Sequence, residues 1–172
     1  DENRLERFKK FNDHIKFANE IMYKEYEAPK IFCEYYDYIV MGSDQIWNFT
    51  FDKIFSDKAL GAVVPENKRV SFSASFGVDY APKKDSDLYN ICKDNLQNMK
   101  AVSVREFAGR DIVKELTGRD DITVLIDPTM MLENKEWELV MKKPEKLKTD
   151  RFILKSFLGD VSDKTWSELR RI

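Results

Sequence analysis

From position 4 to about position 23 the apolar residues Leu5, Phe8, Phe11, Ile15, Ala18 and Met22 recur every three or four places, which lines them up on one stripe of an amphipathic helix. Such a stripe is expected to dock on a second surface. Pro29 follows, and Tyr38-Ile39-Val40-Met41 replaces the helical rhythm with a continuous apolar run, the pattern of a strand buried on both faces in a parallel sheet. Further strands are predicted over 69–74, 101–104 and 122–126, with helices over 86–98 and 106–116 between them. Ser86 is placed to cap the first of these helices, after the solvated Pro82-Lys83-Lys84-Asp85 loop. Thr117-Gly118 is placed to stop the second, because glycine accepts the left-handed conformation that closes a last turn. Strand, helix, strand, helix is the signature of an α/β fold, here a Rossmann-like parallel sheet flanked by helices.

Beyond Asp127-Pro128-Thr129 the pattern changes. A short segment around Trp137 leads into a polar, Lys-rich stretch with Pro144, so 141–150 is expected to be a linker. The first domain is then 1–140, and 151–172 is the first strand and helix of a truncated second domain, with a strand over 152–157, Ser162 as N-cap and a helix from 163. No internal repeat or low-complexity segment argues for a solenoid or a tail.

The chain has 172 residues, enough for one domain plus the start of another. Its 29 Lys and Arg balance 31 Asp and Glu to a net charge of −2, and they are dispersed along the chain, which argues against a dedicated nucleic-acid binder. A 42% hydrophobic content is enough for a sizeable core. No apolar run approaches the roughly 20 residues needed to span a bilayer. Cys33 and Cys92 are far apart without metal-ligand spacing, which fits buried or half-buried thiols in a reducing cytosol better than a disulfide or zinc framework. The start at Asp1, without Met or a leader, reads as an artificial boundary or an internal start.

In open parallel sheets ligands gather beyond the carboxyl ends of the strands. Three such ends carry small or polar residues: Gly42-Ser43-Asp44-Gln45, Ser73-Ala74-Ser75-Phe76-Gly77 and Ser103-Val104-Arg105-Glu106. Gly42 lets backbone approach a ligand, Ser43 can donate to an oxyanion, and Asp44 can take a hydroxyl proton; the competing reading is a turn with a helix cap. The hydroxyls of Ser73 and Ser75 and the backbone at Gly77 could bind an anion, although short loops of this kind are common. Arg105 offers five fixed donors that match carboxylate or phosphate oxygens two at a time; alternatively it pairs with Glu106 or another carboxylate. Trp47 is expected as a core anchor, Asp127 as a turn cap, and Asp120-Asp121 as a solvated turn without a third metal ligand. The sequon Asn48-Phe49-Thr50 reads as chance and His14, the only histidine, as a surface residue. No Ser-His-Asp or Cys-His arrangement, Walker motif or GxGxxG is present.

In order along the chain, residues 36–48, then Ser73-Ala74-Ser75-Phe76-Gly77, Ser103-Val104-Arg105-Glu106, and Asp127-Pro128-Thr129 with Trp137 downstream resemble the polysaccharide pyruvyl transferase family. The resemblance implies transfer of the enolpyruvyl group of phosphoenolpyruvate to two hydroxyls of a saccharide or lipid-linked saccharide, forming a pyruvate ketal and releasing phosphate. It also implies a glycosyltransferase B-like two-domain arrangement, a cytoplasmic location, peripheral to the membrane where the acceptor is lipid-linked, and no cofactor besides the donor. Carried onto this chain, Arg105 clamps the donor, Asp44 orients or deprotonates the acceptor, and Gly42, Ser43, Ser75, Gly77 and Ser103 line the substrate. The family's opening strand and loop and its C-terminal Arg-x-His segment, with the general acid, have no counterpart here. The chain is therefore expected to be an inactive middle portion, able to self-associate through a truncated face. A sugar-nucleotide glycosyltransferase fragment and a non-catalytic Rossmann-like anion-binding module are the competing readings.

Overall fold

In a computed structural model of the chain, the described residues are 2–13, 15, 35–51, 57–141, 149, 157 and 159–169. The chain divides into two compact units, Asp1–Leu132 and Glu133–Ile172.

The first unit is built on four short parallel strands: β1 (Ile39–Met41), β2 (Arg69–Ser71), β3 (Ser103–Val104) and β4 (Thr123–Val124). Two-stranded ladders β1-β2 and β3-β4 are joined by isolated parallel bridges from Val70 to Ala101 and from Ala74 to Val104, so the strands follow one another in chain order. Helices α2 (Asp87–Gln97) and α3 (Phe107–Thr117) make the crossovers and pack on each other. Both form where the periodicity predicts. The Ser86 hydroxyl accepts from Tyr89 N–H at 3.1 Å, and Gly118 closes α3 at φ 74°, which a side chain would strain. Buried between sheet and helices are Phe76, Leu96, Met99, Val104, Val113 and Leu116. Cys92 is fully buried there, and desolvation pushes its thiol up to about 12.

Several expectations need correcting. Every strand is shorter than the stretch predicted for it. Ser73 takes φ 53°, a left-handed backbone that ends β2 before Ala74 rejoins β3. Strand β1 is not buried on both faces, since Val40 is 58% exposed and no described element covers that side. Helix α1 (Glu2–Asn12) ends well before Tyr23; position 14, with His14, and positions 16–34, with Cys33, lie outside the described residues. The stripe expected to dock is exposed at Leu5, Phe8 and Phe11, on a helix whose surface carries a Glu6–Lys10 ion pair one turn apart.

A different interaction fastens β2 to β3. The Ser71 hydroxyl donates to Ser103 O and accepts from Ser103 N–H, both at 2.9 Å. The Ser103 hydroxyl in turn donates to Ser71 O at 2.8 Å and accepts from Ser73 N–H at 2.9 Å. Two serine side chains thus replace rungs of the backbone ladder at the point where the strands part. The Ser73 hydroxyl extends the seam to Ile126 O, just past β4, at 2.7 Å.

In the second unit, α4 (Asn134–Val140) starts with a capping box between Glu133 and Glu136, and α5 (Asp163–Leu169) follows Ser162, whose hydroxyl accepts from Thr165 N–H at 3.2 Å. Most of the expected linker and nearly all of the strand over 152–157 lie outside the described residues.

Candidate active site at the strand tips

Hydrogen bonds continue the parallel pattern beyond the strands and draw the tip loops together. Ser75 N–H donates to Asp44 O at 3.1 Å, Trp47 N–H to Ser75 O at 3.1 Å, Arg105 N–H to Ala74 O at 3.0 Å, and Leu125 N–H to Val104 O at 2.9 Å. The segments after β1, β2, β3 and β4 therefore meet at one edge.

Arg105 reaches across that edge. Its Nη1 donates to Ser43 O at 3.0 Å and to Asp127 Oδ2 at 3.3 Å, while its Nε donates to Glu106 Oε1 at 2.8 Å. Its Nη2 makes no hydrogen bond among the described residues. The hydrogen bond it donates to Glu106 chiefly, with Asp127 behind it, holds the guanidinium above its ordinary value, so it is a permanent cation. Glu106 precedes α3 but does not cap it; its Oε1 also accepts from the Ser75 hydroxyl at 2.9 Å. Asp127 does cap a turn, as expected: its Oδ1 accepts from Thr129 N–H at 3.0 Å and from the Thr129 hydroxyl at 2.7 Å. Those two bonds, with Arg105 and Ser43 adding to them, hold its carboxyl below the usual range. Beside Glu106 opens a crevice of about 430 Å³ lined by Gly77, Val78, Asp79, Glu106 and Ala108.

The other candidates occupy distinct places. Gly42 and Asp44 are exposed, and Gly42 has open space where a Cβ would stand. The Asp44 carboxylate accepts from the next backbone N–H, that of Gln45, at 2.7 Å. Ser75 is fully buried, its hydroxyl held between Gly77 N–H at 3.0 Å and Glu106. Ser103 is buried in the seam, with its hydroxyl committed to Ser71 and Ser73. The edge thus brings together Ser43, Asp44, Ser75, Gly77 and Arg105, while Ser103 stands one layer below. The carboxylates of Glu106 and Asp127 complete the group. Their adjacency to strand ends was visible in the sequence, but their convergence on one guanidinium was not.

Gly77 is a structural requirement of this edge. At φ 64°, a Cβ there would stand 2.4 Å from Gln45 Oε1 and 2.7 Å from Asn48 Nδ2, two atoms hydrogen-bonded to each other. Gly77→Ala is expected to lower unfolding free energy by about 2 kcal/mol, from left-handed strain and the displaced Gln45–Asn48 pair. Urea titration checks this. A change within experimental error would mean that the loop relaxes freely around the methyl. Asn48 is also buried, with its Oδ1 accepting from Thr50, which fits the reading of the sequon as chance.

Two further arginines escaped sequence reasoning. Arg69 is buried and donates to the carbonyls of Val64 and Ala62 and to Asn95 Oδ1, holding the 61–65 turn against α2. Arg119 donates to Leu96 O at 3.1 Å and Met99 O at 2.6 Å at the end of α2, and forks onto Asp121 with two bonds of 2.7 Å. Asp120 and Asp121 are exposed, and no described cluster of His, Cys, Asp or Glu has metal-ligating geometry.

A sequence model of the family described as polysaccharide pyruvyl transferase matches residues 1–171 of the chain. No curated protein and no solved structure matches it.

Proposed function

Because the chain belongs to the polysaccharide pyruvyl transferase family, we propose that it is the donor-binding part of an enzyme that uses phosphoenolpyruvate as donor and a saccharide as acceptor, and that the strand-tip edge around Arg105 grips the donor. In the overall reaction the C2–O bond to phosphate breaks, two acceptor oxygens bond to C2, and the methylene carbon gains a proton to become methyl. Of the two protons lost by the acceptor hydroxyls, one balances the methyl group and the other leaves with phosphate. Positive charge develops at C2 while the donor carries carboxylate and phosphate, so a fixed cation is needed at the donor and a carboxylate near the acceptor hydroxyls.

The observation that carries the reading is Arg105, a guanidinium held across three strand tips with Nη2 unengaged by any described group. Ser43 and the exposed Asp44 border it on the β1 side, where Asp44 can orient an acceptor hydroxyl. Ser75 and Gly77 support the edge from beneath through Glu106. In this reading the parallel array is the Rossmann-like half of a glycosyltransferase B-like enzyme. No described helix is long and apolar enough to cross a membrane; phosphoenolpyruvate is a cytosolic metabolite, which puts the proposed reaction in the cytoplasm, beside the membrane where the acceptor is lipid-linked.

Titration calorimetry with phosphoenolpyruvate tests the donor grip. Arg105→Ala is expected to weaken binding about 10- to 100-fold, the scale of a charge-assisted hydrogen bond to an anion. Arg105→Lys should recover only part, because an ammonium lacks the planar fork. Equal affinity in wild type and Arg105→Ala would remove Arg105 from the donor site.

A further inference from the structure

The Arg105 guanidinium carries one positive charge between two carboxylates, so the Arg105–Glu106–Asp127 group has a formal charge of −1. An anionic donor approaching it meets net repulsion unless one carboxylate yields. We infer that the two carboxylates have opposite roles: Glu106 is a positioning residue that holds the guanidinium in place, and Asp127 is a built-in competitor that occupies the donor's place on Arg105 and gives way when the donor binds. This rests on the reading of Arg105 as the donor grip.

A planar anion is gripped best by parallel N–H groups from two guanidinium nitrogens. Nη2 can supply one of them. The other must come from Nε, taken by Glu106, or from Nη1, shared by Ser43 O and Asp127. Glu106 is the harder to move: its contact is the shorter, 2.8 Å against 3.3 Å, and the same oxygen is tied to the hydroxyl of fully buried Ser75, itself fixed by Gly77 N–H. Asp127 is the easier. Its Oδ1 has two bonds from Thr129 that survive when Oδ2 lets go, so release leaves the carboxylate solvated on one side and capped on the other. The side chains of Arg105 and Asp127 are 27% and 24% exposed, so water can follow the exchange.

The two roles give effects of opposite sign on one measurable constant. Asp127→Asn is expected to tighten phosphoenolpyruvate binding about threefold, the scale of a partly exposed ion pair. Asp127→Ser, which preserves a capping side chain, should do the same. Glu106→Ala is expected to weaken binding about tenfold although it too removes a negative charge, because Arg105 loses its anchor. Glu106→Gln keeps the accepting oxygen and should restore wild-type affinity or better.

Calorimetric titration of these variants, each checked for a native melting transition, decides the matter. Tightening in both Asp127 variants, loss in Glu106→Ala and rescue in Glu106→Gln support the inference. Tightening in Glu106→Ala shows simple charge removal and overturns it, as does unchanged or weaker binding in the Asp127 variants. If Arg105→Ala weakens binding but the Asp127 variants do not tighten it, the donor grip stands and this inference fails. Binding indifferent to Arg105→Ala, or no binding by any variant, overturns both.

Discussion

Replacing Trp47 with Ala is expected to lower the unfolding free energy by about 4 kcal/mol, the usual range for truncating a buried Trp. Trp47 is fully buried, its ring centroid lies 5.3 Å from that of Phe76, and its Nε1 donates to Ala59 O at 3.0 Å. Truncation opens a cavity at the base of the β1 loop and leaves the Ala59 carbonyl without that partner. Trp47 also anchors the edge directly, because its N–H donates to Ser75 O. Trp47→Phe keeps most of the packing and drops the indole bond, so its loss should be about 1–2 kcal/mol. Urea unfolding followed by circular dichroism measures both. Since whole domains are stable by only about 5–15 kcal/mol, Trp47→Ala should also lower soluble yield at 37 °C. A loss under about 1 kcal/mol would show that the neighbouring side chains collapse into the gap.

The second large effect is expected at the serine seam. Ser103→Ala removes the partner of two buried backbone groups, Ser73 N–H and Ser71 O, and should cost about 3 kcal/mol in unfolding free energy. Exposed serines tolerate the same change almost without cost. Ser71→Ala strips Ser103 N–H of its acceptor and should cost a similar amount. The double variant should lose less than the sum, since each hydroxyl's work depends on the strand spacing the other maintains. Additive losses in a double-mutant cycle would show the two serines acting independently. Because Ser73 is held by Ser103 on one side and reaches Ile126 on the other, donor binding should weaken together with stability in these variants.

Helices α2 and α3 were legible because their signals are local: Ser86 caps one, Gly118 ends the other, and Cys92, Leu96, Ile112, Val113 and Leu116 recur at helical spacing and are buried. Strand ends were less legible. The strand pattern at 69–74 gives no sign that Ser73 turns left-handed, because that turn is stabilised by a hydroxyl thirty residues away. Burial of Val40 failed as an expectation for a related reason: an apolar run signals a strand, but which faces are covered depends on neighbours that the run does not encode.

At the site the division is the same. Arg105, Ser43, Asp44, Ser75 and Gly77 stood out in the linear text as polar or small residues directly after apolar runs, and that sufficed for the parallel α/β class, their place at the strand ends and the family resemblance. Only the folded chain decided that Ser103 fastens strands instead of meeting the edge, that Ser75 acts through Glu106, and that Glu106 and Asp127 converge on a single guanidinium. The reason is one of range. Periodicity and capping are settled within a few residues along the backbone, whereas the partner of a hydroxyl or guanidinium is chosen by strand register, which brings together groups separated by 22 to 62 positions.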